Sequence, residues 1–505
     1  MKKNTLVIAL AAVLFSSCNM DFYPVSSIDD ATAIRSVEDA QKVANYFNIR
    51  LRGLYAGSYI YSSEIATDIF HPTIGYGNRG GDYFRWEMTS ETGVCESLWA
   101  SCYASISNAN YLIAKIDELD KTDLTEAELA KLDGFVGEAA FLKAVSTYAL
   151  VEKYSPAYNA STASTDLGVM LVNSYAPTSD QSKYPPRSSM ADTYKYIEDN
   201  IAIAEAKVKN PNIVASELIT PDAVAAFKAR VALSKKDYAT AAAVASALVD
   251  SGRYPLIDAK SENAAENWTN LWKNDSGDEC IVQLYASYKD KSTPNSLTYG
   301  YYGKNNVGVY APDFIPETEV VEMYTGTDLR ASWFEPQTIT VAGINGDVYL
   351  FNKFPGNPAL QVATAPTSSY IQKIKPFRIA EQYLIAAEAY ALSGDEVKAA
   401  KYYNALAMAR DPQAVETRAS GDALVNAIRI ERFKELIGEG FRFYDLKRYG
   451  QGMTRSDIQN SDVVFQRGTD LSIAADDYRW LWPIPQAEID SNPQVKPQQN
   501  PGYTK

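Results

Sequence analysis

The stretch that most constrains this chain runs from Ile428 to Gly450, IRIERFKELIGEGFRFYDLKRYG. Ile430, Phe433, Ile437, Phe441 and Tyr444 recur at steps of three or four, so one helical face is expected to be buried. Gly438 and Gly440 interrupt that face. Glycine is poor in a helix interior, which predicts two short helices meeting at a bend. Glu431, Arg432, Glu435, Glu439, Arg442, Asp445 and Arg448 alternate in sign along neighbouring turns, where opposite charges can pair. A guanidinium grips a carboxylate with two parallel hydrogen bonds. These charges are therefore expected to serve folding, with the Glu435–Asp445 group paired to Arg432, Arg442 and Arg448.

The rest of the composition narrows the function. At 505 residues with 46% apolar content the chain can bury a large core. Its formal net charge is −14, or −16 without Lys2 and Lys3 (46 basic against 62 acidic residues). So acidic a surface argues against nucleic acid and against electrostatic docking on anionic lipid. His71 is the only histidine. A Ser-His-Asp or Cys-His arrangement would have to be built around it, and a multi-histidine metal site is impossible. No phosphate-cradling glycine loop and no metal-ligand cluster is present, so no cofactor is expected. A glycoside hydrolase needs two carboxylates across the scissile bond, and the sequence gives no reason to prefer any pair. No catalytic residue is assigned.

The N-terminus reads as a targeting segment. Lys2 and Lys3 precede an apolar run, Leu6 to Phe15, too short to span a bilayer. Ser16 and Ser17 then precede Cys18. This resembles a bacterial lipoprotein signal, residues 1–17, with Cys18 lipidated as the first mature residue. Cys95 and Cys102 lie seven residues apart in a helical stretch, about 10 Å along the axis, too far to be bridged. With Cys280 they are expected to be buried free thiols.

Most of the chain has helical spacing. It is seen from Ala40 to about Tyr59, from Val94 to Leu119, and beyond Thr125, an expected N-cap with Glu128 completing a capping box. Lys235–Leu248 and Gly394–Ala407 resemble each other and a tetratricopeptide helix–turn–helix pattern, without its usual Trp and Pro positions. The expected fold is mostly α: a helical scaffold over about 36–254 and 377–505, and a loop- and strand-rich insertion over about 255–376, in a single domain spanning 18–505. Within the insertion, Cys280–Tyr288 reads as a strand and Thr338–Phe351 as a hairpin turning at Asn345–Gly346.

Two glycine-rich regions break the helical pattern. In the first, Asp68 to Glu87, Asp68, Tyr76, Asn78, Arg79, Asp82, Tyr83 and Trp86 cluster. The second carries Tyr299, Tyr301, Tyr302 and Tyr310. Aromatic faces stack on the apolar side of a pyranose, while carboxylate, amide and guanidinium groups hydrogen-bond its hydroxyls. These residues are the candidate ligand contacts. Trp99, Trp333, Trp480 and Trp482 are expected to be structural.

The pattern ER..EL.GEG.R.YDL.R, Glu431 to Arg448, followed by WPIPQAEIDSNPQVKPQQNPGY, Trp482 to Tyr503, resembles the C-terminal signature of the SusD-like (RagB/SusD) family of outer-membrane nutrient-binding lipoproteins. The segment around Phe141–Tyr154 is similar to another family motif, with Lys143 where arginine is usual. The resemblance implies a surface-exposed, lipid-anchored protein of the outer membrane that is not an enzyme. It would capture an oligosaccharide and deliver it to a SusC-type TonB-dependent transporter, binding through an early loop and the central insertion. A peptide ligand is the alternative the family implies. A surface glycoside hydrolase and a pure scaffold on the transporter are the further classes left open.

Overall fold

The computed structural model describes residues 34–287, 300–305, 307–360, 370–465 and 472–503. The helices of the first half are α1 (Val37–Tyr55), α2 (Ser58–Ile65), α3 (Gly81–Phe84), α4 (Gly93–Glu118), α5 (Glu126–Tyr154), α6 (Met190–Lys207), α7 (Pro221–Lys235) and α8 (Tyr238–Asp250). Those that follow are α9 (Ala264–Lys273), α10 (Thr318–Glu322), α11 (Ile379–Leu392), α12 (Glu396–Arg410), α13 (Gly421–Leu436), α14 (Arg442–Tyr449) and α15 (Gln486–Ser491). Strands are short and pair in twos, antiparallel: β1 (Phe70–Pro72) with β5 (Phe314–Pro316), β2 (Leu167–Met170) with β3 (Arg187–Ser189), and β4 (Cys280–Leu284) with β8 (Ile374–Arg378). β6 (Phe334–Val341) pairs with β7 (Ile344–Phe351), and β9 (Met453–Thr454) with β10 (Ser472–Ile473). The fold is mostly helical, as expected.

α5 is the axis of the scaffold. The Thr125 hydroxyl accepts from the Glu128 N–H, and the Glu128 carboxylate accepts from Thr125, closing the expected capping box. From Ala139 to Val151 nearly every residue is buried, because α4, α6 and α1 all pack on this helix. Lys143 is buried too. Its ammonium lies 5.4 Å from the Tyr196 ring centroid, and burial pushes its pKa down to about 8. The two helix pairs anticipated from sequence are α7–α8 and α11–α12, and α11 packs between α8, α12 and α13. Small residues Ala241, Ala245, Ala386 and Ala399 line these crossings, fully buried, so the backbones approach closely.

The 428–450 stretch does bend where its glycines stand. α13 ends at Leu436, Gly438 (φ +81°) and Gly440 (φ +90°) turn the chain, and α14 begins at Arg442. A Cβ on Gly440 would lie 2.5 Å from Ile60 Cδ1, so glycine is required there on two counts. On α13 the buried face is not the expected one, although Ile437 and Tyr444 beyond it are buried as anticipated. Ile430 is 46% exposed and Phe433 half-buried, whereas Arg432 and Glu435 are at most 2% exposed. Glu435 is gripped not by its own helix neighbours but by three guanidiniums from elsewhere. Arg330 lies at 3.2 Å, Arg378 at 2.8 Å, and Arg410 at 3.0 Å to each oxygen. Arg410 also holds Glu279 at 2.6 and 2.7 Å. Asp445 takes Arg432 and Arg448, each at 2.8 Å, as anticipated. Arg442 instead reaches back to Asp68, at 2.8 and 2.6 Å.

Cys95, Cys102 and Cys280 are buried free thiols, and Trp99, Trp333, Trp480 and Trp482 are buried in the core, as expected. The hairpin exists, but its two-residue turn is Ala342–Gly343, both at positive φ, and not Asn345–Gly346. Gly346 sits inside β7, where a Cβ would meet Val463 Cγ1 at 2.7 Å. Cys18 lies outside the described residues.

Candidate functional site

The first glycine-rich loop is stapled at its base. β1 pairs with β5, the Thr73 N–H donates to Asp313 O at 2.8 Å, and the Ile74 N–H donates to Val463 O at 2.9 Å. Beyond that base the chain turns through left-handed Gly77, Asn78 and Gly80. At Gly80 a Cβ would clash with Ile65 and Tyr83 at 2.8 Å, so only glycine allows the turn to lie this close to α2. The loop then enters α3, which presents Asp82 and Tyr83.

This geometry brings the two predicted regions into one surface. Arg79 Nε donates to Asp313 Oδ2 at 2.7 Å, joining the early loop to the insertion. Gly75 lies against Val341 near the hairpin turn. Arg85 organises the loop from within, donating to Tyr76 Oη at 3.1 Å, to Asn78 Oδ1 at 2.6 Å and to Glu87 Oε2 at 2.7 Å. Asn78, Arg79 and Asp82 are exposed, and the Tyr76 and Tyr83 rings are half-buried beside them. Tyr310 is half-buried on the insertion side, with Lys304 Nζ 5.1 Å from its ring centroid. The arrangement offers partly open aromatic faces bordered by guanidinium, amide and carboxylate groups.

Four sequence-predicted residues do not stand on this surface as expected. Trp86 is 4% exposed: its Nε1–H donates to Ala66 O at 2.7 Å and its ring packs against Trp480 and Phe443. Tyr301 is fully buried and stacks on Phe70 with ring centroids 4.3 Å apart. Tyr302 is 8% exposed and donates its hydroxyl proton to Glu335 at 2.6 Å. These three rings anchor the loops to the core. Asp68 is held by Arg442, as described above, and lines a different pocket. Tyr299 lies outside the described residues.

Sequence reasoning missed Arg85, Asp313, Lys304 and Tyr349. Arg85 sat in plain view between Phe84 and Trp86. Asp313 and Lys304 gain meaning only from the fold. Tyr349 is 45% exposed on β7, opposite Pro336. With Thr338, Asp347 and Gln459 it lines an open groove of about 670 Å³ between the hairpin and α10. His71, the one histidine, is 1% exposed, and burial pushes its pKa down to about 4. Its Nε2 lies 3.1 Å from Ser456 O and 3.5 Å from Glu317 Oε1, so the ring is held by one nitrogen inside the fold.

Comparison with known proteins agrees with this architecture. The family model described as "SusD family" matches residues 283–503, and the one described as "Starch-binding associating with outer membrane" matches residues 26–233. A SusD-like protein of Formosa agariphila is 23% identical over 533 residues, covering 97% of each chain. A SusD superfamily protein from Bacteroides thetaiotaomicron superposes with a TM-score of 0.76 at 25% identity, covering 92% of this chain and 100% of the other. A SusD-like carbohydrate binding protein from Bacteroides vulgatus gives 0.74 at 20% identity, covering 94% and 100%. With one model matching each half of the chain and the fold shared along nearly its whole length, the chain belongs to the SusD-like (RagB/SusD) family.

Proposed function

We propose that this protein captures an oligosaccharide at the surface formed by the early loop and the insertion. It hands the sugar to a SusC-type TonB-dependent transporter and hangs from the outer membrane by lipid on Cys18, facing outward. The observation that carries the reading is the Arg79–Asp313 junction. It sets the half-buried rings of Tyr76, Tyr83 and Tyr310 among exposed Asn78, Arg79 and Asp82, with Arg85 bracing the loop. Partly exposed rings give stacking faces for a pyranose, and the polar groups match its hydroxyls. The groove beside Tyr349 would let a longer chain continue along the hairpin. One matching family is described as starch-binding, and one structural neighbour is a SusD-like carbohydrate binding protein, which supports a sugar ligand. No chemical step is proposed, since nothing in the sequence singles out the pair of carboxylates that glycoside hydrolysis needs.

The test is isothermal titration of the protein truncated after Cys18 against oligosaccharides and short peptides. Saturable binding of one glycan class, with no product formed, is the expected result. Tyr76→Ala and Tyr310→Ala should each weaken it about tenfold while circular dichroism stays unchanged. Silence from every sugar with a signal from peptides would replace this reading with peptide capture.

A further inference from the structure

A second pocket, of about 310 Å³, opens between α10, α13 and the segment from Tyr449 to Ser456. About 15 Å³ on this measure already holds one water, so the space admits an organic molecule. Val320, Met323, Ile430 and Phe433 give it an apolar wall, and Ile430 is the exposed isoleucine of α13. Burying that side chain under a ligand would remove apolar surface from water.

The polar wall is built around Arg429. Every neighbouring arginine spends its guanidinium on a carboxylate: Arg432 on Asp445, Arg442 on Asp68, and Arg448 on both Glu388 and Asp445. Arg429 does not. Among the described residues it donates no hydrogen bond; its nearest carboxylate is Glu388, 3.7 Å away and already chelated by Arg448 at 2.7 and 2.6 Å. Its Cζ instead lies 3.8 Å from the centroid of the Tyr449 ring, and the side chain is only 24% exposed. A guanidinium drawn to a ring by cation–π attraction leaves its donors for another acceptor. Ser456 and Glu317 complete the same wall, with Glu317 Oε1 buried 3.5 Å from His71 Nε2.

The carboxylates around the pocket do not forbid an anion. Asp68 is neutralised by Arg442. Burial pushes the Glu317 pKa up to about 8, so that group is an uncharged acid at neutral pH. Glu319 is exposed at the rim. Because the whole chain is acidic, long-range attraction would not draw an anion here, and retention requires a fork in a partly dry site.

We propose that this pocket is a binding site for a small organic carboxylate with an apolar body, the carboxylate seated on Arg429 and the body against Phe433, Met323 and Ile430. The site is separate from the loop surface, and its existence does not depend on what that surface binds.

The experiment is calorimetric titration of the purified protein with leucine, N-acetyl-leucine and leucinamide. The first two carry a free carboxylate and differ at the nitrogen; the third has none. Saturable binding of leucine or N-acetyl-leucine, with leucinamide silent, is expected, and which of the two binds tells whether an ammonium is tolerated. Arg429→Gln should weaken that binding at least tenfold with an unchanged circular dichroism spectrum, while Tyr76→Ala leaves it intact. No heat from either acid, equal binding of leucinamide, or an unaltered affinity in a folded Arg429→Gln protein would each overturn the proposal. Should Arg429→Gln fail to fold, Met323→Gln tests the apolar wall by the same titration. There, weaker binding of the acid supports the site and unchanged affinity refutes it.

Discussion

The same residue types do opposite jobs in neighbouring loops, and the backbone decides which. Trp86 stands at φ +59°, rare for a bulky residue, and that turn drives its ring inward against Trp480 and Phe443. Tyr76, ten residues earlier, keeps part of its ring at the surface and engages Asn78 and Arg85 with its hydroxyl. Trp86→Ala should therefore lower stability by about 3–5 kcal/mol, the usual cost of emptying a packed aromatic site. Thermal denaturation would show it, and the same variant tests placement, because a normal melt with weakened sugar binding would put the indole at the surface. Local composition revealed where loops gather aromatic and polar residues. It could not say which rings turn inward, since glycine-rich surroundings are the same for both. Arg79 was legible as a polar contact, but its partner Asp313 lies 234 residues away, beyond any local pattern.

At the scale of elements, periodicity found the helices, and the glycines marked the bend between α13 and α14. It misread which side of α13 is buried, because it counts apolar residues and Glu435 is not one. Three arginines from other elements make that carboxylate compatible with the interior, where an unpaired charge would be prohibitive. The hairpin shows the same limit. Asn345–Gly346 is the stronger turn dipeptide, yet Gly346 is glycine because Val463 packs on it. The real turn places Ala342 at φ +49°, a conformation that costs an L-residue roughly 1 kcal/mol. Asparagine tolerates it better, and Ala342 is exposed. Ala342→Asn is expected to stabilise the protein by up to about 1 kcal/mol; an unchanged or lower melting temperature would contradict the turn assignment.

Over the whole molecule, buried ionisable groups pull stability in opposite directions with pH. Glu435 and Asp445 are held below the usual carboxylate range, burial being outweighed by their arginines, so their contribution is present above about pH 4.5 and lost as pH falls. Glu64 and Glu317 are raised by burial to about 7 and about 8. They favour the fold at low pH and lose that advantage as pH rises from about 4.5 through those values. His71, lowered to about 4, works against them below about pH 6.5. Glu138 and Glu152, also raised to about 7 by burial, act with the two acids. Lys447, lowered to about 7, Lys143 and Lys353, lowered to about 8, and Lys153, lowered further, act against them as pH rises. Glu64→Gln should therefore make the slope of melting temperature between about pH 5 and 7 less negative than in the unaltered protein, whatever it does to the melting temperature itself. A slope unchanged in the variant would show that Glu64 does not titrate there. The charge cluster around Glu435 ties the insertion to the helical scaffold. Its members are drawn from Glu279 and Arg330 in the insertion and from Arg378, Arg410 and Glu435 in the helical scaffold. An engineer who wished to change what this protein recognises could transplant the loop tips around Asn78 and Lys304, which lie outside the cluster. Excising or swapping the insertion as a cassette would break the Arg410–Glu279, Arg378–Glu279, Arg330–Glu431 and Arg330–Glu435 contacts at once, so chimeras should be cut at the tips.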